Sequence, residues 1–180
     1  MVKGTLPGKS QGNQANSTGN TLESVVLSVL GSKGFTAVRY RDYISYVERF
    51  GQAAADAHYG QELLLQNVPY RSIYGHNGNT EFLLRSSCWS CHIRIECKWQ
   101  QTAGSVDEKY PYLYLNCLDA MPEKEILILL DGGGAKPTAV QWLKDAARQK
   151  LYAVTPEQQS KNIRVMNLVE FVTWANKRFR

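Results

Sequence analysis

The stretch His92-Ile93-Arg94-Ile95-Glu96-Cys97-Lys98-Trp99-Gln100 alternates apolar and polar residues with the period of a β-strand. The polar face of this predicted strand carries Glu96 and Lys98 as neighbours, roughly 6–7 Å apart along the chain. A carboxylate can hold a hard divalent cation, and a lysine beside it can activate water or stabilise charge on a phosphate. The pair therefore points to metal-dependent phosphodiester hydrolysis, with a solvated ion pair as the plain alternative.

Size and composition set the bounds for that idea. The chain has 180 residues, of which 43% are hydrophobic and 21% charged, as expected of one globular domain. Its formal charge of +5 gives a modest attraction for polyanions such as nucleic acids. The longest apolar run, Ile126–Leu130, is far shorter than a membrane span, and the N-terminus shows no apolar leader. We therefore expect a cytoplasmic protein of a bacterium or a phage-infected cell, with no membrane contact.

The chain divides into a short polar tail and one domain. Residues 1–19 are rich in Gly, Ser, Asn and Gln and predict a flexible tail, so the domain is expected over 20–180. Its first elements are predicted as a helix from Leu22 and a strand over Phe35–Tyr40. An insert of mixed helical and extended character is expected over about 41–78.

The second half of the domain alternates strands and helices. A hairpin of Thr80–Arg85 and His92–Gln100 is followed by a helix over Ser105–Ala120, and Glu125–Leu130 predicts a central strand covered on both faces. The remaining predicted elements are a helix over Pro137–Lys150, a strand over Ile163–Met166 and a helix over Asn167–Asn176. This order predicts an α/β fold with a mixed sheet flanked by helices.

Three residues extend the pair of Glu96 and Lys98. Glu81 opens the preceding strand and can face Glu96 across the hairpin, which would place two carboxylates on one cation. Glu23 lies in the first turn of the first helix, where the helix dipole also favours an acid. Gln100 shares the strand face of Lys98. An ordinary surface role is the alternative for each of the three.

Two other motifs carry less weight. Cys88-Trp89-Ser90-Cys91 has the spacing of a zinc or redox pair, but Cys97 and Cys117 form no second close pair, so reduced cysteines are expected. Asp131-Gly132-Gly133-Gly134 lacks the Gly-Lys-Ser/Thr of a phosphate-binding loop and is predicted to be a tight connection after a buried strand.

Taken together, these motifs make the chain similar to the PD-(D/E)XK nuclease superfamily. The resemblance is carried by Glu81-Phe82-Leu83-Leu84, Glu96-Cys97-Lys98-Trp99-Gln100 and Gly104-Ser105-Val106-Asp107-Glu108-Lys109. These segments resemble small nucleases of bacteria and phages and restriction endonucleases. The stretch from Gly19 to Phe35 also resembles the opening of archaeal Holliday-junction resolvases.

The resemblance implies a restriction-endonuclease-like αβββαβ core with a central mixed sheet between helices. Members of the superfamily carry an acid on the second core strand, Glu-x-Lys on the third, and often another acid on the first helix. In this chain those positions correspond to Glu81, Glu96, Lys98 and Glu23. Aspartate is more common in the family where this chain has Glu81, which makes that position its departure from the pattern.

The residues also indicate how such a site would work. We expect Glu81, Glu96 and the backbone carbonyl of Cys97 to bind Mg²⁺, for which Mn²⁺ can substitute. Glu23 would reach the site through water or a second ion. Lys98 would lower the pKa of the attacking water or stabilise charge on the scissile phosphate.

Four side chains are predicted to support catalysis or contact DNA. Gln100 would orient the catalytic lysine or a phosphate oxygen. Lys109, near the start of a helix, would contact a DNA phosphate together with that helix N-terminus. Within the insert, Arg71 would bind phosphate and Tyr70 would stack on a base, with turn or core roles as the alternatives.

These expectations describe a Mg²⁺-dependent DNA endonuclease that acts as a homodimer, because cutting both strands of a duplex usually takes two sites related by a two-fold axis. A Holliday-junction resolvase is the rival within the enzyme class and would prefer a four-way junction to linear duplex. A non-catalytic DNA-binding protein with a nuclease fold is the rival from another class. Loss of Glu96 or Lys98 would be its expected sign, and both residues are present.

Overall fold

The computed structural model describes residues 22–102 and 107–180 as a six-stranded sheet with helices on both faces. The strands are β1 (Thr36–Arg39), β2 (Glu62–Arg71), β3 (Asn77–Ser86), β4 (Cys91–Trp99), β5 (Glu125–Asp131) and β6 (Asn162–Met166). The helices are α1 (22–31), α2 (Tyr40–Phe50), α3 (Gln52–Tyr59), α4 (Tyr110–Leu115), α5 (Pro137–Gln149), α6 (Pro156–Ser160) and α7 (Leu168–Arg178). A 3₁₀ turn, Asp107–Lys109, precedes α4, and a π-helical turn, Asn116–Ala120, follows it.

The strand order is β1-β2-β3-β4-β5-β6, and the sheet is mixed, which confirms the predicted α/β class. β2, β3 and β4 form an antiparallel meander, while β1 runs parallel to β2 and both β5 and β6 run parallel to β4. The carboxyl ends of β1, β2, β4 and β5 therefore meet the start of β3 at one end of the sheet. The predicted site residues of β3 and β4 lie at that end.

Two apolar layers enclose the sheet. On one face α1 and α7 cover the apolar side of β4, and the buried residues there include Leu22, Val26, Ile93, Ile95 and Phe171. On the other face α4 and α5 cover β5, and the buried residues there include Tyr114, Ile126, Ile128, Leu130 and Leu143. Both faces of β5 are buried, as its unbroken apolar run predicted, and β5 lies inside the sheet between β4 and the edge strand β6.

The segment predicted as an insert contributes a full strand to the sheet. β2 lies between β1 and β3 and pairs along nearly its whole length with β3. The three consecutive leucines Leu63–Leu65 are all buried, and a short apolar run without alternation does not distinguish a strand from a helix in the sequence. The rest of the segment forms α2, α3, the start of β3 and the short connections between these elements.

The helix predicted over Ser105–Ala120 is divided into three short turns. Ser105 and its neighbours, 103–106, lie outside the described residues. The π-helical turn is capped by Lys161, whose buried ammonium donates to the carbonyls of Cys117, at 3.1 Å, and Met121. α6 was not predicted, because its five residues have no apolar period and only the capping box of Thr155 and Gln158 marks its start. In the described part of the chain, no helix is both long and apolar enough to cross a membrane.

Arg94 ties the antiparallel meander together from the polar face of β4. Its guanidinium pairs with Glu123 and donates to the carbonyl of Val68 at 3.2 Å and to the hydroxyl of Thr80 at 3.0 Å. The Arg94 side chain is only 3% exposed. A buried charge with these partners links β2, β3 and the segment before β5.

We expect Arg94→Ala to lower the free energy of unfolding by about 3–5 kcal/mol, because the substitution leaves the Glu123 carboxylate buried without its partner. Urea unfolding followed by circular dichroism measures this. The control is Arg148→Ala, which removes an exposed ion pair with Asp145 and should cost no more than about 0.5–1 kcal/mol. Equal losses in the two variants would contradict the structural role of Arg94.

Candidate active site

The site begins where β3 and β4 separate. Their pairing ends at Phe82 and Ile95, and the pairing of β2 with β3 is interrupted at Asn67, whose φ of 56° is left-handed. Beyond Phe82 and Ile95 a side chain links β3 to β4: the Cys97 N–H donates to Glu81 Oε2 at 2.7 Å. The gap between the two strands is therefore lined by carboxylate and main-chain oxygens.

Lys98 places its ammonium among these oxygens. Its Nζ forms a close ion pair with Glu96 Oε1 and lies 3.3 Å from the carbonyl oxygen of Cys97 and 3.8 Å from Glu81 Oε1. The three groups predicted to bind a metal thus surround one positive charge. The structure brings Glu81, Glu96 and Lys98 together as the hairpin geometry predicted.

Burial dominates the electrostatics of Glu96. The side chain is 5% exposed, and burial raises its pKa to about 7, with the charge of Glu81 adding to the rise and that of Lys98 opposing it. Burial acts to lower the pKa of Lys98, but the charges of Glu96 and Glu81 outweigh it and the pKa is raised. Lys98 therefore stays a cation at neutral pH, which suits charge stabilisation better than proton abstraction.

The oxygens of this site fit a hard divalent cation. Glu96 Oε2 is buried and has no hydrogen-bond partner among the described residues, so it is free to bind a metal ion. Two carboxylates and one carbonyl are the ligands that Mg²⁺ and Mn²⁺ favour. No group of three or more His, Cys, Asp or Glu side chains in 22–102 and 107–180 is arranged as a metal cage.

Glu23 lies near this pair at the start of α1. Its side chain is half-buried, and burial raises its pKa, with the charge of Glu81 adding to the rise and that of Lys98 opposing it. The carboxylate is therefore within electrostatic range of both residues, although it belongs to the opposite face of the sheet from α4. Its predicted contact through water or a second ion remains a prediction.

Gln100 is engaged by the loop beside it. Its buried side-chain amide donates to the carbonyls of Thr102 at 3.2 Å and Gly134 at 3.3 Å, and its main chain exchanges hydrogen bonds with Asp131 and Gly134. A Cβ at Gly132, whose φ is +104°, would lie 2.4 Å from the carbonyl oxygen of Gln100. The glycine run makes this close connection possible, and Gln100 anchors the loop, while its predicted role in catalysis remains a prediction.

The residues predicted to contact DNA lie around the same end of the sheet. Arg71 is exposed and donates to Asn77 Oδ1 at 3.4 Å, and Lys109 is exposed just before α4. Tyr70 is half-buried, with its ring against Gly78. Burial first, and then the charge of Glu96, raise the pKa of Tyr70 to about 12.

A small cavity lies beside Lys98. Its volume is about 210 Å³, and its lining includes Lys98, Tyr110, Asp131 and Asn167. The Lys98 side chain is 37% exposed. A larger cavity of about 690 Å³ lies at the other end of the sheet, around His92, away from these groups.

Sequence reasoning missed Tyr110 and the role of Asp131. The Asp131 carboxylate accepts from the main-chain N–H groups of Gly132, at 2.7 Å, and Leu168, at 2.9 Å, and so joins the end of β5 to the start of α7. For Asp131, an acid at the end of an unbroken apolar run was the available signal in the sequence. The Tyr110 hydroxyl donates to Gln100 Oε1 at 3.4 Å, a contact that no spacing in the sequence indicates.

A mixed sheet with a separated strand pair, two carboxylates and a lysine defines a restriction-endonuclease-like protein. Residues 14–179 match the family model described as the PD-(D/E)XK nuclease superfamily domain, and the chain belongs to that superfamily. No curated protein and no solved structure is significantly similar to the chain. Members of the superfamily are usually nucleases that use divalent metals, so membership supports a nuclease that hydrolyses phosphodiester bonds.

We expect the metal-free protein to lose stability as the pH rises from about 4.5 to about 7, because over that range the folded state holds a proton on Glu96 that the unfolded state has released. The free energy of unfolding should fall by up to about 1.4 kcal/mol per pH unit. Urea unfolding in EDTA at a series of pH values measures the slope.

Glu96→Gln should remove this part of the pH dependence, because the amide does not titrate. The exposed Glu48→Gln is the matched control and should keep the slope of the parent protein. If Glu96→Gln and the parent have the same slope, the raised pKa of Glu96 is wrong.

Proposed function

We propose that the protein is a Mg²⁺-dependent DNA endonuclease that hydrolyses phosphodiester bonds at the site of Glu81, Glu96 and Lys98. One observation carries the proposal: the Lys98 ammonium lies among three oxygens of Glu96, Cys97 and Glu81. That point has the charge and the ligands a divalent cation requires, and a cation already occupies it in the form of the lysine. Membership of the nuclease superfamily supports the same chemistry.

In this proposal Glu81, Glu96 and the Cys97 carbonyl hold the Mg²⁺ ion. When bound, Mg²⁺ would polarise the scissile phosphate and lower the pKa of a coordinated water. The free Glu96 Oε2 gives the carboxylate an oxygen for this purpose that no protein donor uses among the described residues. Glu23, at the start of α1, would hold a water or a second ion on the far side of Glu81.

Lys98 acts on the substrate once Glu81 and Glu96 bind the metal ion and no longer hold the ammonium. Its ion pairs with Glu96 and Glu81 compete with a phosphate for the same ammonium. With those carboxylates neutralised, the ammonium donates to a non-bridging phosphate oxygen and stabilises the charge of the transition state. The Gln100 amide donates to the carbonyl of Gly134 and so holds the glycine loop in place beside Lys98.

Exposed cations at the same end of the sheet supply the attraction for the DNA backbone. Arg71 and Lys109 would contact phosphates, and Tyr70 would contact the substrate near Glu96. A homodimer with two such sites would cut both strands of a duplex. A preference for four-way junctions, as in a Holliday-junction resolvase, is the second candidate because of the resemblance near α1.

The experiment is cleavage of supercoiled plasmid, linear duplex and a four-way junction, with Mg²⁺ and with EDTA. We expect Mg²⁺-dependent cutting that Lys98→Ala reduces by about 10²–10³-fold, the usual loss when one charge-stabilising donor is removed. The control is Lys144→Ala, since the Lys144 side chain is also 37% exposed and also pairs with a glutamate, but on α5. It should cut like the parent protein.

Metal binding gives a second readout that does not depend on cleavage. By calorimetry Lys98→Ala should bind Mn²⁺ more tightly than the parent, because the competing ammonium is gone, whereas Glu96→Gln should bind it more weakly. The endonuclease proposal fails if no substrate is cut under any condition and Mn²⁺ binding is the same in all three proteins. A non-catalytic DNA-binding protein would then be the better description.

A further inference from the structure

The turn between β2 and β3 is hydrogen-bonded to the π-helical turn that follows α4. The N–H of Ile73 donates to Asn116 Oδ1 at 3.0 Å, across 43 residues of sequence. Within the turn, the Gly75 N–H donates to the Ser72 carbonyl at 2.7 Å and the His76 N–H donates to the Ser72 hydroxyl at 3.1 Å. These hydrogen bonds fix the conformation of the turn and hold it against the π-helical turn after α4.

This turn presents an aromatic ring to solvent. Tyr74 is 69% exposed, and its ring stacks on that of Tyr112 in α4, with centroids 4.9 Å apart and planes 27° apart. The stack supports the Tyr74 ring from one side and leaves much of it open. A rigid, exposed aromatic face is the feature on which nucleic-acid bases stack.

A cation borders the aromatic face. The guanidinium of Arg71 extends along the turn, and a Cβ at Gly75 would lie 3.8 Å from its Nη2. The His76 ring centroid lies 6.5 Å from that of Tyr74. Residues 70–80 contain no acidic residue. The turn thus combines a stacking surface with a positive charge that a phosphate can approach.

The aromatic surface continues toward the active site. Tyr70 pairs with Gly78 in the hairpin below the turn, and its ring contacts that glycine. Burial first, and then the charges of Glu96 and Tyr112, raise the pKa of Tyr70, so its hydroxyl is within electrostatic range of both residues. Tyr70 lies opposite Gly78, which is three residues before Glu81 on β3, so the hairpin leads from the exposed turn to the strand that carries Glu81.

We propose that Tyr74, supported by Tyr112 and flanked by Arg71, binds an unpaired base of the nucleic-acid substrate beside the scissile phosphate. This inference rests on the proposed nuclease function and names its substrate class, which is DNA with a single-stranded segment near the cut. A base inside a duplex has both faces covered by its neighbours, whereas an unpaired base offers a free face to the tyrosine.

The experiment measures binding in EDTA, where Mg²⁺-dependent cleavage is absent, by the fluorescence of 2-aminopurine in a single-stranded oligonucleotide and in a blunt duplex of the same sequence. Tyr74→Ala should weaken single-strand binding by about ten- to a hundredfold and reduce the quenching of 2-aminopurine. Tyr74→Phe should restore both, because it keeps the ring. The control, Tyr152→Ala, removes a tyrosine that is 65% exposed beyond the end of α5 and should behave like the parent.

Blunt-duplex affinity should change by less than about threefold in all these variants, since a duplex offers no free base face along its length. The inference is overturned if Tyr74→Ala binds single strands like the parent, or if it weakens duplex and single strand equally. If plasmid is still cut in those cases, the nuclease function stands without the stacking site. If the parent neither binds an oligonucleotide nor cuts plasmid, both proposals fail, and a protein partner becomes the better occupant of Tyr74.

Discussion

The hydrogen bond from the Cys97 N–H to the Glu81 carboxylate is the contact on which the site depends. It forms just beyond the last paired residues of β3 and β4, so a side chain holds together two strands that no longer pair there. The same bond fixes the Glu81 carboxylate beside Glu96 and leaves the Cys97 carbonyl facing Lys98. Without it, the gap between the strands would have no defined set of oxygens.

The ion pair of Glu96 with Lys98 stabilises the site and still leaves one carboxylate oxygen available. A buried glutamate is costly unless it is paired, and Glu96 obtains its pairing from Lys98 on the same strand. The pairing leaves one Glu96 oxygen without a donor among the described residues. In the proposed mechanism a divalent cation would bind that oxygen and release the ammonium, which would couple metal binding to substrate binding through Lys98. The unfavourable burial of Glu96 would then serve the proposed function.

The alternating strand and the hairpin made the centre of the site predictable from the sequence. The period of two put Glu96 and Lys98 on one face, and the hairpin placed Glu81 across from them. The burial of both faces of β5 followed from its unbroken apolar run. These inferences needed only local periodicity and one short connection.

Features that depend on tertiary contacts were not predictable in the same way. The role of β2 was hidden by three consecutive leucines, and the left-handed residue Asn67 carries no strong signal. Gln100 was predicted from its strand face, but one of its partners, Gly134, lies in a loop 34 residues away. Tyr74 lies in a turn rich in Gly and Asn, where sequence reasoning expects only a connection, and its stacking partner is in α4.

The most direct test of the account is a crystal structure with Mn²⁺, with the ion located by its anomalous scattering. The account predicts one peak bound by Glu81, Glu96 and the Cys97 carbonyl, with the Lys98 ammonium moved off the carboxylates toward the open side of the gap. Mn²⁺ bound elsewhere, or Lys98 still paired with Glu96 in crystals of a protein that cuts DNA, would contradict it.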